Sequence, residues 1–322
     1  MRPSQIYDAS LLAVERSRIS RLVMVQTVLK KTVQKITREL YWKPRFRLAE
    51  RIYRLTGTDL LTFNALEKLR NVHAGKRVVV MGNGPSLSRI DFDDLMGEIT
   101  FASNKIFLAF DKTDWRPTYY SVEDDLVIIQ NIGKLRSKID PASTVLMPYI
   151  CKVYESDLYA DVFFGYSFRK IFDRKQHFGT DAFDEIYNGF SIVYTQIQLA
   201  MFMGASEIAL IGVDFSFSTS AENRKDNELV GNGEVNHFLP NYRKVGERWN
   251  LPHLDRQRLA FALAEEQARA VGVKIYNCTE GSKLDVFERK PFAEFLSGPD
   301  GSRYSVGGAS GGSGVRERPA VS

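Results

Sequence analysis

The chain has 322 residues, of which 44% are hydrophobic and 26% are charged, a composition typical of soluble globular proteins and not of fibrous or disordered ones. No apolar run reaches the roughly 18 residues of a transmembrane helix, and no apolar stretch near the N-terminus indicates a signal peptide. The two cysteines, Cys151 and Cys278, are too few for a disulfide framework, so the composition favours a reducing compartment such as the cytoplasm.

The first predicted element is a basic helical extension over residues 1–70. From Ser10 to Thr37 apolar residues recur at roughly helical spacing, with Lys or Arg at many positions between them. The excess behind the net charge of +5 is concentrated there. Two interpretations stay open: the helix packs on the main domain or on a second copy in a homo-oligomer, or it contacts an anionic membrane at the inner face of the cytoplasmic membrane. Nucleic acid is not predicted as a partner, because no known reading motif is present.

The most informative stretch runs from Arg77 to Asp91. Val78 to Met81 predicts a short buried strand, because the apolar run is β-branched and too short for a buried helix. It leads into the turn Gly82-Asn83-Gly84-Pro85-Ser86, which a helix or helical turn should follow. The free N–H groups of such a turn, the Ser86 hydroxyl and the positive end of a helix would suit a phosphate. The glycine spacing matches neither the dinucleotide pattern nor a Walker A loop, so a ligand loop and a plain strand-to-helix turn both stay open.

Strand and helix patterns alternate along residues 71–296, the predicted catalytic domain. Further strands are predicted at residues 99–103, 118–122, 143–147, 162–165, 207–214 and 274–277, and helices at residues 58–74, 191–203 and 254–271. This alternation predicts an α/β fold with a Rossmann-like, mostly parallel sheet that has helices on both faces. Ligands bind past the carboxyl ends of such strands, where the sequence places polar side chains at Asn83, Asn104, Glu123 to Asp125, Asp214 and Asn277.

Two segments interrupt the alternation. Residues 216–253 form a long, polar stretch without a regular pattern, which indicates a functional or mobile lid over the site. The tail over residues 297–322 is rich in glycine and serine and is predicted to be disordered.

Two polar clusters are candidates for chemistry. The carboxylates of Glu123, Asp124 and Asp125 could hold Mg²⁺ that bridges phosphates, or they could form a solvated turn with acids at a helix start. His237, in the lid, could take a proton from a hydroxyl as a neutral imidazole, although a lone histidine in a polar loop is more often structural. No pair of histidines has the spacing of a zinc site, so the sequence predicts no zinc ligands.

Four sequence blocks together resemble a known group of proteins. They are GNGPSL from Gly82, SNKIF from Ser103, YNGFSIVYTQIQLAMFMGASEIALIGVDFSFS from Tyr187, and NHFLPNY around His237. In order and spacing they resemble the bacterial DUF115 superfamily, which includes proteins similar to the archaeal 6-hydroxymethylpterin diphosphokinase and the flagellin nonulosonic-acid transferases. The chain also resembles the bacterial sialyltransferases of glycosyltransferase family 42. The resemblance covers the chain from about Lys76 to Phe295.

The resemblance to family 42 implies roles for individual residues. The loop Gly82-Asn83-Gly84-Pro85-Ser86 would hold the cytidine monophosphate (CMP) part of a CMP-sugar, together with Asn104 and the small-residue turn Asn188-Gly189. His237 would be the general base on the acceptor hydroxyl. Apart from the resemblance, Asp214 at the end of a buried strand could orient that base or contact the donor, or it could be a hydrogen-bonded cap of a helix or turn. Family 42 has two tyrosines after its Asp-Phe pair to support the leaving phosphate, and none follows Asp214-Phe215 here. Tyr242 and Arg243 are the candidates to replace them.

Three functional hypotheses follow. The first is a bacterial glycosyltransferase that moves a sugar, for example a nonulosonic acid such as sialic acid, from a nucleotide-sugar to a hydroxyl of a surface glycan or lipid-linked precursor. It would need no cofactor beyond its donor. The second is an ATP:pterin pyrophosphokinase, with Mg²⁺ held by Glu123 to Asp125. The third is an inactive nucleotide-sugar-binding or scaffolding protein, for which the absent tyrosines are the clue.

Overall fold

The computed structural model describes residues 25–26, 28–30, 32–138, 142–167, 176–218, 224–225 and 228–297. The strands are β1 (Arg77–Met81), β2 (Thr100–Ser103), β3 (Tyr119–Ser121), β4 (Thr144–Pro148), β5 (Val162–Phe164), β6 (Tyr166–Ser167), β7 (Ile186–Tyr187), β8 (Glu207–Ile211), β9 (Arg224–Lys225), β10 (Glu228–Val230), β11 (Arg248–Asn250), β12 (Lys274–Asn277) and β13 (Glu288–Arg289). The α-helices are α1 (Lys43–Thr56), α2 (Phe63–Leu69), α3 (Asp125–Lys138), α4 (Ile192–Phe202), α5 (Leu254–Ala270) and α6 (Phe292–Leu296).

Eight strands form one parallel sheet in the order β13-β12-β8-β1-β2-β3-β4-β5. The chain runs outward from β1 to β5, then returns to place β8 on the other side of β1. The apolar runs of β1 and β8 are buried after their first residue, as expected for strands that are covered on both faces. The predicted Rossmann-like α/β fold is confirmed, and its topological switch point lies between β1 and β8.

The helix α4 carries the main polar feature of the core. Nearly every side chain of this helix is buried, including Thr195, Gln196 and Gln198. Gln196 donates from Nε2 to the carbonyl oxygen of Ala102 at 2.9 Å and to the Ser121 hydroxyl at 3.0 Å, which ties α4 to β2 and β3. The helix therefore fixes the carboxyl ends of these two strands, beside which the candidate site lies.

The N-terminal region is helical where it is described, but part of it belongs to the main core. Residues 28–30 and 32–37 are helical and continue through a π-helical turn, Arg38–Trp42, into α1. Phe46 in α1 and Phe63 in α2 are buried in the central hydrophobic cluster, so these two helices pack on the main sheet domain. The predicted helix from Ser10 lies outside the described residues up to residue 24.

The predicted lid, residues 216–253, contains more regular structure than its sequence suggested. β9, β10 and β11 form a small antiparallel sheet in the order β11-β10-β9. The side chain of Gln130 in α3 donates to the carbonyl oxygen of Arg248 at 2.9 Å and accepts from the Arg248 amide at 3.2 Å. These two hydrogen bonds connect β11 to the main domain. Apart from Ser297, the predicted disordered tail lies outside the described residues. Among the helices that the structure describes, none has the length and hydropathy to cross a membrane.

Candidate functional site

Two adjoining cavities lie beside the carboxyl ends of the central strands. The large chamber, about 460 Å³, is bounded by the start of α3, the segment from Asn188 to Ile192, and the lid from Tyr242 to His253. The small chamber, about 150 Å³, lies against the Gly82–Gly84 turn and the residues that follow β8. Asn104, His237 and Tyr242 line both chambers, so these residues form the junction.

The glycines of the predicted phosphate loop bring β1 and β8 together. The Gly82 amide donates to the carbonyl oxygen of Ile211 and the Gly84 amide to that of Gly212, each at 2.8 Å. A Cβ atom on Gly82 would lie 2.2 Å from the Gly212 oxygen, so only glycine permits this approach. The ladder between the two strands thus continues into the turn and uses amides that we had expected to face a phosphate.

Asp214 occupies the remaining space of that loop. Its carboxylate accepts the Ser86 amide at 3.0 Å and the Ser86 hydroxyl at 2.6 Å. A Cβ atom on Gly84 would lie 2.0 Å from Asp214 Oδ2. Pro85 has no N–H, and the helical turn Pro85–Arg89 is a 3₁₀ helix of only five residues, too short to have the macrodipole of a long α-helix. The expected phosphate donors of Ser86 are therefore engaged with Asp214, whose carboxylate locks the loop.

Three asparagine side chains supply further polar groups to the walls of the two chambers. Asn83 donates from Nδ2 to the Ser103 carbonyl oxygen and hydroxyl, both at 3.3 Å, while its Oδ1 is buried without a partner among the described residues. Asn104 Oδ1 and Asn188 Oδ1 are buried and unpartnered in the same part of the chain. Asn104 also has φ 53, a left-handed conformation that asparagine tolerates better than most residues. The three side chains offer acceptors to a ligand with hydroxyl or amino groups.

His237 is stacked on Tyr242 at the junction of the chambers. Their ring centroids are 3.9 Å apart with an interplanar angle of 4°. Tyr242 is held in turn by Lys105, whose amide donates to the Tyr242 hydroxyl at 3.3 Å and whose Nζ donates to the Tyr242 carbonyl oxygen at 2.9 Å. Burial, assisted by the positive charges of Arg243 and Lys105, lowers the pKa of His237 to about 3. The imidazole is therefore neutral at physiological pH and has a lone pair available for a proton.

Lys105 was not predicted from the sequence, although it follows Asn104 within the SNKIF block. Its side chain is buried and ion-paired with Glu247 of the lid. Burial lowers the pKa of Lys105, and the hydrogen bond to Glu247 opposes that effect. The pair joins the end of β2 to the lid and keeps a positive charge near His237.

Arg243 and Trp249 form the wall of the large chamber within the lid. The Arg243 guanidinium carbon lies 3.7 Å from the Trp249 ring centroid. Burial lowers the pKa of Arg243 to about 10, so the side chain remains a cation at neutral pH. Arg243 Nη1 and Trp249 Nε1 are both buried without a hydrogen-bond partner among the described residues. No feature of the sequence had singled out Trp249.

The side chains of the acidic cluster mainly make hydrogen bonds to other groups of the protein. Glu123 accepts hydrogen bonds from the hydroxyls of Tyr166 and Thr195, and burial raises its pKa to about 7. Asp124 accepts the Val127 amide at 3.0 Å and Asp125 accepts the Leu126 amide at 2.9 Å. These two acids cap the start of α3, as the second interpretation of the cluster predicted.

The cluster does not fit the magnesium hypothesis. Asn250 of β11 also donates to the carboxylates of Asp124 and Asp125, at 3.3 and 3.0 Å. Within the described residues, no group of three or more His, Cys, Asp or Glu side chains is arranged to hold a metal ion. Both oxygens of Asp124 and one oxygen of Asp125 are thus already used by the α3 amides and by Asn250, which disfavours Mg²⁺ at this cluster.

Unsatisfied atoms and strained backbone both concentrate at the two chambers. Seven buried side-chain polar atoms lack a partner in the part of the chain that the structure describes, and five belong to chamber residues. They are Asn83 Oδ1, Asn104 Oδ1, Asn188 Oδ1, Arg243 Nη1 and Trp249 Nε1. Of the four described non-glycine residues with positive φ, Asn104, Phe190 and Phe215 line a chamber. Such costs persist where a ligand or function requires them, so this is the candidate active site.

Gly189 proves to be a packing residue. A Cβ atom on it would lie 2.3 Å from the Tyr194 ring, so the glycine permits the close approach of α4, while its neighbour Asn188 lines the large chamber. Phe190 and Phe215 were not predicted as site residues, because nothing in a single sequence marks a phenylalanine as having positive φ.

Comparison with known proteins gives a family and two distant structural likenesses. Residues 57–220 match the profile of the family described as 6-hydroxymethylpterin diphosphokinase MptE-like. No curated protein matches the sequence. The MAf glycosyltransferase from Magnetospirillum magneticum AMB-1 is 15% identical with a TM-score of 0.44, over 75% of this chain and 40% of its own, so the chain spans well under two thirds of that protein.

The second structure is the sialyltransferase CstII from Campylobacter jejuni, in complex with the substrate analogue cytidine-5'-monophosphate. It is 15% identical with a TM-score of 0.37, over 67% of this chain and 85% of its own. At these levels of similarity, neither structure assigns a function to this chain.

Proposed function

The chain belongs to the 6-hydroxymethylpterin diphosphokinase MptE-like family, and we propose that it is a bacterial glycosyltransferase of the sialyltransferase-like kind. It would transfer a sugar, with a nonulosonic acid as the leading candidate, from a nucleotide-sugar to a hydroxyl of a surface glycan or lipid-linked precursor. One observation carries the proposal: a neutral imidazole, His237, lies at the junction of two chambers that contain unpartnered polar atoms.

The small chamber is the proposed place for the nucleoside. It lies past the carboxyl ends of β1 and β8, where ligands bind in sheets of this kind. Asn83 Oδ1 and Asn104 Oδ1 would accept hydrogen bonds from the base or the ribose. The Gly82–Ser86 turn would contribute shape and Asn83, because its glycine and serine amides are engaged with β8 and Asp214.

The proposed reaction moves one proton and exchanges one bond. His237 takes the proton of the acceptor hydroxyl, whose oxygen forms a bond to the anomeric carbon of the donor sugar. The bond between that carbon and the phosphate oxygen breaks, and the nucleotide leaves with the electron pair. Arg243 stabilises the departing phosphate, as a cation in a site sheltered from water does. Tyr242 keeps its proton and can donate a hydrogen bond to that phosphate, because its hydroxyl oxygen accepts from the Lys105 amide.

The family description keeps a second candidate in view, an ATP:pterin pyrophosphokinase. That reaction would place Mg²⁺ at Glu123 to Asp125, which the hydrogen bonds of Asp124 and Asp125 do not favour. A protein that binds a nucleotide-sugar without turnover is the third candidate. It would keep the chambers and lack the leaving-group stabilisation that we assign to Arg243.

We also propose that the N-terminal helix places the enzyme at the inner face of the cytoplasmic membrane. Val25, Leu29, Val33 and Ile36 recur every three or four residues and are all more than half exposed, while Lys30 and Lys35 occupy other faces of the helix. An exposed apolar stripe with basic flanks suits the interface of an anionic bilayer. A lipid-linked acceptor would be met there.

The proposal is tested by thermal denaturation with a panel of nucleotides and nucleotide-sugars, each with and without Mg²⁺. A ligand at a hundred times its Kd adds about 2.7 kcal/mol to the free energy of unfolding, which is visible as a shift in Tm. We expect CMP or another nucleotide product of sugar transfer to stabilise the protein equally with chelator. Stabilisation by ATP only with Mg²⁺ would favour the pyrophosphokinase, and binding without turnover of any donor would favour the inactive binder.

A further inference from the structure

Trp249 and Arg243 both line the large chamber, and each has a buried hydrogen-bond donor. Trp249 is the middle residue of β11, and its side chain is only 6% exposed, between the exposed residues Arg248 and Asn250. The guanidinium of Arg243 covers its ring at 3.7 Å. Both Trp249 Nε1 and Arg243 Nη1 are buried, and neither has an acceptor among the described residues.

The nearest carboxylate of the lid is already engaged. One oxygen of Glu247 is held by Lys105 Nζ, and the other accepts the Lys244 amide at 3.0 Å. A buried donor that finds no acceptor costs free energy, and the cost is larger for a charged group. A stacked guanidinium also cannot turn to solvent without losing its contact with the indole ring. Both donors therefore suit hydrogen bonds to acceptor atoms of a ligand.

We infer that Trp249 Nε1 and Arg243 Nη1 form a two-donor subsite for one anionic group, and that this group is the phosphate of the nucleotide. The inference rests on the proposed function for the identity of the ligand. A planar guanidinium beside an indole N–H can give one hydrogen bond to each of two phosphate oxygens. Glu123, Asp124 and Asp125 line the same chamber, and Asn250, the neighbour of Trp249 in β11, donates to Asp124 and Asp125. Arg243 is the cation that would hold an anion beside these acids.

The position of Tyr242 argues for the donor phosphate over an anion of the acceptor. Tyr242 lines both chambers, and Arg243 is the next residue and lines the large one. A nucleoside in the small chamber, continued past Tyr242, brings its phosphate to Arg243. The core of the protein would then bind the nucleoside, while the lid, through β11, would bind the phosphate.

The test compares a nucleoside with its monophosphate, cytidine with CMP, by calorimetric titration of the full chain. Trp249→Phe keeps an aromatic ring under the guanidinium and removes only the N–H donor, and Arg243→Gln removes the charged donor. We expect each variant to weaken CMP binding about tenfold or more while cytidine affinity is unchanged. Lys244→Gln, which removes the same charge from the neighbouring exposed residue, should change neither affinity.

Each other outcome decides against one of the two proposals. If CMP binds the wild type and the ratio of CMP to cytidine affinity is the same in both variants, the subsite is wrong and the glycosyltransferase proposal stands. If no nucleotide binds the wild type, the proposed function fails, and inorganic pyrophosphate becomes the probe. Stabilisation of the wild type by pyrophosphate that is lost in Trp249→Phe would still support an anion subsite, and its absence would overturn it.

Discussion

Removal of the Asp214 carboxylate should unlock the loop after β1, and the cost can be worked out from its two hydrogen bonds. The carboxylate accepts the Ser86 amide at 3.0 Å and the Ser86 hydroxyl at 2.6 Å. A hydrogen bond to a charged group contributes about 1.5–3 kcal/mol, and a buried donor left unpaired adds to the loss. We therefore expect Asp214→Ala to lower the free energy of unfolding by about 3–5 kcal/mol, and Ser86→Ala by about 1–2 kcal/mol.

The two substitutions should not be additive, because they remove parts of the same contact. In the Asp214→Ala background the Ser86 hydroxyl has already lost its acceptor, so Ser86→Ala should cost almost nothing further. The double-mutant cycle should give a coupling energy of about 1–2 kcal/mol. The assay is equilibrium unfolding in urea, compared at unchanged m-value. Ser88→Ala is the matched control, since Ser88 lies in the same helical turn and its hydroxyl only donates to the Pro85 carbonyl oxygen.

Two results would refute this account of the loop. Additive effects within about 0.5 kcal/mol would mean that Asp214 and Ser86 do not act on each other. A normal free energy of unfolding in Asp214→Ala, together with a large loss of turnover, would favour the hypothesis that Asp214 orients the base or contacts the donor.

Four further predictions concern other parts of the molecule. His237→Ala should lower turnover by about two to four orders of magnitude with nearly unchanged donor affinity, and wild-type turnover would remove His237 from the mechanism. Gly84→Ala should fail to fold normally or lose several kcal/mol in urea unfolding, because the added Cβ would lie 2.0 Å from Asp214 Oδ2; a stable variant would show that the loop adapts. The folded-state pKa of Glu123 is raised from 4.5 to about 7, so the folded protein favours the protonated carboxyl. The free energy of unfolding of the wild type should therefore fall by up to about 3 kcal/mol as the pH rises from 4.5 to 7. Unfolding measured at pH 5 and pH 8 should show this loss in the wild type and not in Glu123→Gln. Deletion of residues 1–40 should abolish flotation with anionic liposomes and keep nucleotide binding, whereas a change only in oligomer size would support the homo-oligomer interpretation.

The sheet could be predicted from the sequence because its strands carry their own signal. The runs VVVM and EIALI are short, apolar and partly β-branched, and they became β1 and β8 in the centre of the sheet. The helices α4 and α5 were likewise apparent from their spacing. By contrast, β10 and β11 are three residues long and pair only with each other and β9. Such strands are fixed by their partners and not by local pattern, so the lid was predicted to be irregular.

Four residues proposed from the sequence lie together, although their contacts were not predicted. Asn104, His237, Tyr242 and Arg243 line the chambers, and their roles stay predictions. The fate of the glycine loop was not predictable, because Asp214 is 128 residues away from Ser86 in the sequence. Similarly, Trp249 is a candidate site residue only because the Arg243 guanidinium stacks on its ring, and no local sequence pattern predicts that contact.

The stack of His237 beside two cations has a consequence for the order of events. Arg243 and Lys105 contribute to the low pKa of His237 after the effect of burial, so His237 is a weak base when no anion is bound beside it. An anion next to Arg243 would cancel part of that positive potential and raise the affinity of His237 for a proton. The imidazole would gain strength as a base only after the nucleotide has entered. Such an arrangement favours a compulsory sequence in which the donor binds first, and it discourages the activation of stray hydroxyl groups, including water, while the donor is absent.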